Sequence, residues 1–253
     1  MRNIIIGNWK LHPQSSREAR MLARSIAQIA SRIKNVDIVI APPFPFLPLI
    51  SAGSKVAIAA QDVFWEREGP YTGEVSGPML RGVGARYVIV GHSERRNHLH
   101  ETDEIINKKL KHALLSGLRP ILCVGERKRD SDGEFFSVIK QQIEIAFAKV
   151  KRGDVTRVVV AYEPVWAISS GKSAKAAEPA DANEAALFIR KTIAGIYGVR
   201  VARGVRIIYG GSSNAKNAKD FLSEREISGL LVGRESRDAK EFIKIIECAY
   251  TVS

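Results

Sequence analysis

Glu163 closes an apolar run, Val158-Val159-Val160-Ala161-Tyr162, and passes at once into Pro164-Val165-Trp166 and small residues ending in Gly171-Lys172. A carboxylate placed there suits either a solvated strand end or a base held on a rigid element beside a loop. Four other stretches carry groups that would complement a base. Gly7-Asn8-Trp9-Lys10 offers an amide and an ammonium, and Gly91-His92-Ser93-Glu94-Arg95-Arg96 offers an imidazole. A helix starting at Ser93 would place its positive end near His92 and favour the uncharged ring. Tyr209-Gly210-Gly211-Ser212-Ser213-Asn214 and Gly233-Arg234-Glu235-Ser236 contain glycines that let backbone N–H groups approach an oxyanion. Singly, each group has a plainer use: a solvated lysine, a packed polar histidine, a glycine turn. Gathered at one place, they are a base, an electrophile, an ammonium, an amide and an anion cradle. That set suits removal of a proton next to a carbonyl in a small phosphorylated sugar.

Bringing them together requires a particular frame. Short apolar runs recur at Ile4–Ile6, Val36–Ala41, Val56–Ala60, Tyr87–Val90, Pro120–Val124, Val158–Tyr162, Val205–Tyr209 and Leu230–Val232. Between them lie apolar faces at helical spacing, such as Ala19, Leu22, Ala23, Ile26, Ile29, Ala30 and Ile33, with others in Ile105–Leu115, Val138–Val150, Ala185–Ile196 and Phe242–Ala249. Strands that are apolar throughout, alternating with helices, predict a parallel sheet covered on its outer face. Eight such units predict a closed eight-stranded (β/α)8 barrel, the TIM barrel architecture, as a single catalytic domain over 1–253. An open doubly wound sheet is the other arrangement, but no Gly-rich dinucleotide fingerprint follows the first strand. In a barrel, chemistry sits where strands end, and phosphate sites lie after strands seven and eight. The five stretches above occupy those ends.

Composition narrows the classes further. The chain has 253 residues, 45% hydrophobic and 26% charged, the balance of a globular protein with a full core. No apolar run approaches the roughly 20 residues of a membrane span, and the start is too short in its apolar part for a signal peptide, so a cytoplasmic location is expected. Two cysteines, Cys123 and Cys248, form no disulfide framework and are expected to be buried thiols. The formal charge of +12 favours anionic partners. The cations, however, sit in runs such as Lys108-Lys109-Lys111 without interleaved aromatics, so solvated helix faces are expected and a nucleic-acid footprint is not. His98-Leu99-His100-Glu101 lacks third and fourth ligands at convincing spacing, so no metal is expected.

The segments GNWKLHP, GPYTGEVSGPML, VIVGHSERR, LCVGER, AYEPVWAISSGKSA and YGGSS resemble those of the triosephosphate isomerase family in order, spacing and strand position, over essentially the whole chain. This family is itself the reference case of a carboxylate base paired with a neutral histidine at a helix N-terminus, and of a loop whose closure excludes water. The resemblance implies that Glu163 is the base interconverting dihydroxyacetone phosphate and D-glyceraldehyde 3-phosphate, that His92 polarises the carbonyl and moves protons between oxygens, and that Lys10, with Asn8, opposes the developing charge. It implies phosphate donors at Gly171, Gly210, Gly211, Ser212, Gly233 and Arg234, hinges at Pro164-Val165-Trp166 and Lys172-Ser173-Ala174, and no cofactor. Glu94 and Arg95 would support Lys10 and the assembly, a plain surface ion pair being the alternative, and Glu126 would be structural. The long 62–79 segment would reach a second copy of the chain in a homodimer, with Thr72 near that copy's Asn8 and Lys10.

Three departures from the family pattern stand out. Arg234 replaces the usual second glycine of the eighth loop and would be strained if its φ were positive. Ser169-Ser170-Gly171 replaces Gly-Thr-Gly at the lid tip, followed by a long 175–182 stretch in which Glu178-Pro179 predicts an extended turn. His12 stands in place of a usual Asn. Other readings of the same residues are an isomerase of a different small sugar phosphate, or a catalytically weak barrel that binds anions or nucleic acid.

Overall fold

The computed structural model describes residues 1–50, 55–129, 133–168 and 177–252. Eight strands, β1 (Asn3–Asn8), β2 (Val36–Ala41), β3 (Val56–Ala60), β4 (Tyr87–Val90), β5 (Arg119–Val124), β6 (Val159–Tyr162), β7 (Arg206–Tyr209) and β8 (Gly229–Val232), pair in sequence order and close on themselves as a barrel. Every pairing is parallel, including β8 with β1, where Ile4 faces Gly229.

Each strand buries both faces, which is why the sequence shows unbroken apolar runs. Ile4, Ile6, Val39, Ala41, Ala59, Ile89, Ile121, Cys123, Val159, Ala161, Ile208 and Leu231 pack together inside the barrel. Their neighbours Ile5, Ile38, Ile40, Val88, Val90, Leu122, Val160 and Ile207 pack outward against the helices. Successive side chains on a strand point to opposite faces. Extending the inward series by two residues, from Ile6, Ala59, Ala161, Ile208 and Leu231, reaches Asn8, Gln61, Glu163, Gly210 and Gly233. The period that fills the barrel therefore also delivers the polar groups to its carboxyl-terminal mouth.

The helical layer comprises α1 (Ser16–Ala30), α2 (Gly77–Gly82), α3 (Ser93–His98), α4 (Asp103–Leu115), α5 (Glu134–Phe147), α6 (Pro179–Tyr197), α7 (Val199–Arg203), α8 (Ala218–Ser223) and α9 (Ala239–Thr251). Local caps set several starts: the Ser15 hydroxyl accepts from Glu18 N–H at 3.3 Å before α1, and Asp238 accepts from Lys240 and Glu241 N–H before α9. The turn expected at Glu178-Pro179 is instead the start of α6. Pro179 takes the first helical position, where its missing N–H is of no consequence, and Asp181 accepts from Glu178 N–H at 3.3 Å. Among the described residues no helix is long and apolar enough to cross a membrane.

Two expectations about charge and thiols are corrected. Lys109, expected on a solvated face, is 2% exposed. Its ammonium lies 2.7 Å from Asp62 and 2.5 Å from Glu101, while Arg95 reaches the same two carboxylates at 2.8 and 2.6 Å. A buried charge persists only when paired in this way. Arg95 is thus part of an internal network tying α3 and α4 to the start of the 62–76 segment, and no surface ion pair. Cys123 is buried, but Cys248 is only half-buried.

Candidate active site

The carboxyl-terminal ends of β1, β4, β6, β7 and β8 surround a cavity of about 640 Å³ whose lining includes Asn8, Lys10, His92, Glu163, Gly210 and Gly233. Glu94, Gly211, Ser212 and Arg234 line it as well. Ten of the sequence-derived site residues thus meet at one mouth. Thr72 is exposed on the 62–76 segment and does not line the cavity, and Gly171 lies outside the described residues, as do the 169–171 lid tip and the 172–174 hinge.

Lys10 follows β1 in the left-handed region, with φ of 52°. Two bonds hold it there, and a third anchors the partner that makes one of them. Asn8 Oδ1 accepts from Lys10 N–H at 3.0 Å, and the Gln61 amide donates to the carbonyls of Lys10 and Ala41 at 2.8 Å each. The Lys10 ammonium then meets Glu94 Oε1 at 2.6 Å. Burial pushes the Glu94 carboxyl up, but its hydrogen bond to Lys10 and the surrounding positive charge outweigh that and hold it below its ordinary value.

β4 ends on Val90, and the next residue, Gly91, with φ of 75°, turns the chain and aims His92 into the mouth. The His92 ring caps α3: its Nδ1 accepts from Glu94 N–H at 3.2 Å. An accepting Nδ1 leaves the proton of the neutral ring on Nε2. That nitrogen is 3.4 Å from Glu163 Oε1.

Glu163 is 2% exposed, one residue beyond β6. Its N–H donates to Val124 O at 2.7 Å, and its Oε2 accepts from Ser93 N–H at 3.3 Å. Two glycines make room for it. A Cβ on Gly125 would fall 2.0 Å from the Glu163 carbonyl oxygen, and one on Gly210 would fall 2.7 Å from Glu163 Cγ. Cys123 lies beside it on the inner face of β5. Burial first, and then the Glu163 carboxylate, push the Cys123 thiol well up, so it is a neutral neighbour and no nucleophile.

Behind Glu163, the short turn Val165–Ala167 is fixed from below. Val165 N–H donates to Glu126 O at 2.9 Å, and the Glu126 carboxylate accepts from Tyr162 Oη at 2.9 Å and Trp166 Nε1 at 2.8 Å. From above, the Ser212 hydroxyl donates to Ala167 O at 2.9 Å. The structural part expected of Glu126 is therefore that of a tether under the Val165–Ala167 turn. Arg234 opens the short turn Arg234–Arg237 and is absent from the positive-φ residues, so its presence imposes no backbone strain.

Sequence reasoning missed Gln61, Ser93 as a partner of Glu163, Cys123 as its neighbour, and Ser213, whose buried hydroxyl has no hydrogen-bond partner. For Gln61 the signal was present, since it stands one inward period beyond Ala59. Among the described residues no three His, Cys, Asp or Glu side chains gather as a metal site would need, and His98 and His100 are both exposed.

Comparison with known proteins agrees with this geometry. The sequence model of the family described as triosephosphate isomerase matches residues 3–249. Similar curated proteins bearing that name include one from Thermoanaerobacter pseudethanolicus, 43% identical over 97% of this chain and 98% of its own length. Those from Caldanaerobacter subterraneus subsp. tengcongensis and Moorella thermoacetica are each 44% identical over the same shares. The chain belongs to the triosephosphate isomerase family.

Proposed function

We propose that the protein interconverts dihydroxyacetone phosphate and D-glyceraldehyde 3-phosphate, acting in the cytoplasm as a single catalytic domain. The observation that carries the reading is the convergence of Glu163, the Nε2 face of His92 and the Lys10 ammonium on one cavity. Glu163 takes a proton from the carbon next to the carbonyl and returns it to the neighbouring carbon. The Nε2–H of His92 donates to the carbonyl oxygen as charge develops there, and the ring then moves a proton between the two oxygens of the enediolate. Lys10 opposes the negative charge of that intermediate. The backbone N–H groups at Gly211, Gly233 and Arg234 receive the phosphoryl group, and Ser212 joins them by exchanging its bonds to Ala167 O for phosphoryl oxygen.

Glu163 lines the cavity with its Oε2 bonded to Ser93 N–H at 3.3 Å, and lid closure carries the carboxylate from that bond onto the substrate carbon. The turn tethered by Glu126 is the point about which it does so. A coupled assay on wild type, Glu163→Asp and Glu163→Gln tests this. Withdrawing the carboxylate by one methylene lowers kcat by about 100-fold or more, the cost of misplacing a reacting group by about 1 Å. Wild type that does not equilibrate the two triose phosphates, or Glu163→Asp within threefold of it, overturns the reading.

The protein acts as a homodimer, with Thr72 of the long 62–79 segment approaching the other copy's Asn8 and Lys10. In support, Met79, just past Thr72 in the chain, and Leu11, next to Lys10, are 60% and 80% exposed, apolar surface that a second copy would cover. Sedimentation showing a fully active monomer at micromolar concentration is the result that excludes it.

A further inference from the structure

The phosphoryl end of the cavity carries two cations that the backbone cradle does not require. Arg234 and Arg237 both line the cavity and are exposed. The turn that bears them is fixed: Ser236, fully buried, donates its N–H to Gly233 O at 3.0 Å, and its hydroxyl sits 2.7 Å from Gly233 O and 3.3 Å from Asn8 O at the end of β1. Arg237 Nε donates to Arg234 O at 3.2 Å, bracing the first residue of the turn from within. A Cβ on the preceding Gly233 would lie 3.9 Å from Lys10 Nζ, so Arg234 begins one residue from the ammonium. That ammonium is already engaged by Glu94 at 2.6 Å. A phosphoryl dianion entering here therefore meets two cationic side chains lining one cavity, Lys10 and Arg234, the second on an anchored main chain.

We propose that Arg234 is a specificity-determining residue of the phosphoryl subsite, its guanidinium adding a side-chain charge to the backbone donors and selecting for dianionic termini. This rests on the triose phosphate reading above and names what grips the substrate's tail. A guanidinium is suited to the task because its forked donors match two phosphoryl oxygens. The same side chain also lines an adjoining cleft of about 450 Å³ with His12, Glu18 and Asp238.

Inorganic phosphate is the probe. Its binding to wild type, Arg234→Gln and Arg234→Lys is titrated by calorimetry at low and high sodium chloride, and KM and kcat for glyceraldehyde 3-phosphate are measured beside it. Arg234→Gln weakens phosphate about tenfold, the low end of a charge-assisted hydrogen bond's contribution, and raises KM in step while kcat changes much less. Arg234→Lys recovers part of the loss, and the salt dependence of phosphate binding is shallower in Arg234→Gln than in wild type. Phosphate affinity and KM unchanged in Arg234→Gln overturn the proposal. Because phosphate binding is read without turnover, a wild-type protein that binds phosphate through Arg234 but isomerises nothing would remove the activity and leave this subsite standing.

Discussion

Gly210→Ala tests whether the seat of the base is set by van der Waals space. The added Cβ would lie 2.7 Å from Glu163 Cγ and 3.4 Å from both Glu163 Oε1 and the Tyr162 carbonyl oxygen. Carbon atoms at rest stand about 3.5–4.0 Å apart, so Glu163 Cγ must retreat by roughly 1 Å. The Tyr162 oxygen is itself bonded to Gly210 N–H at 2.8 Å, so the methyl cannot escape on that side. The side chain gives way, and its carboxylate leaves the position facing His92 Nε2. A misplacement of that size corresponds to about 100-fold in kcat, or about 2.7 kcal/mol of barrier. Overpacking adds about 1–3 kcal/mol of destabilisation. The coupled assay gives kcat, and a thermal melt separates the catalytic effect from unfolding. Gly153→Ala, with nothing within 4 Å of its added methyl, is the control and stays at wild-type values. If Gly210→Ala keeps kcat within threefold of wild type, the seat is not what positions the base.

Three other substitutions probe the supports. Lys109→Met removes the cation between Asp62 and Glu101 and leaves both carboxylates to Arg95 alone; a loss of about 3 kcal/mol is expected from chemical denaturation at neutral pH, and less than 1 kcal/mol would show that the network contributes little. Trp166→Phe deletes the donor to buried Glu126 and costs about 1–3 kcal/mol while slowing turnover, whereas an unchanged melt and kcat would dismiss the tether. For pH, His112 Nε2 accepts from Gly77 N–H at 3.2 Å, and burial, with Arg67 adding to it and Glu66 opposing, holds the ring below its ordinary 6.5. A base with a depressed folded pKa takes up protons more readily when unfolded, so its contribution is present above 6.5 and is lost as pH falls below that value. Melts from pH 7.5 to 5 should steepen on the acid side in wild type and flatten in His112→Gln; identical slopes would refute the assignment.

The barrel and most of its mouth could be read from the chain because both depend on the same local periodicities. Ile4, Ile5 and Ile6 are all apolar because one side of β1 faces the lumen and the other the helices, and the inward set runs straight on to Asn8. Glu163, His92 and Lys10 stood out as polar groups just past such runs. Lys109 could not be read, because what keeps it inside is 47 residues away at Asp62, and no helical pattern carries that information. Gln61, by contrast, stands one inward period beyond Ala59 and so was legible as a mouth residue, while its partners at Lys10 and Ala41 were not. At Glu178-Pro179 two local rules compete: proline interrupts a regular run, yet its fixed φ also suits the first turn of a helix, and here the second prevails.

The alternation that fills the lumen has a cost for insertion and deletion. Losing one residue from β6 between Val159 and Tyr162 would keep its hydrogen-bonded ladders to β5 and β7 available, yet would swing the carboxylate from the hollow of the barrel to the helix side. Length changes are thus tolerable in the outer connections but are fatal in the staves, where the spacing that stacks hydrocarbon and the spacing that aims the acid are one and the same.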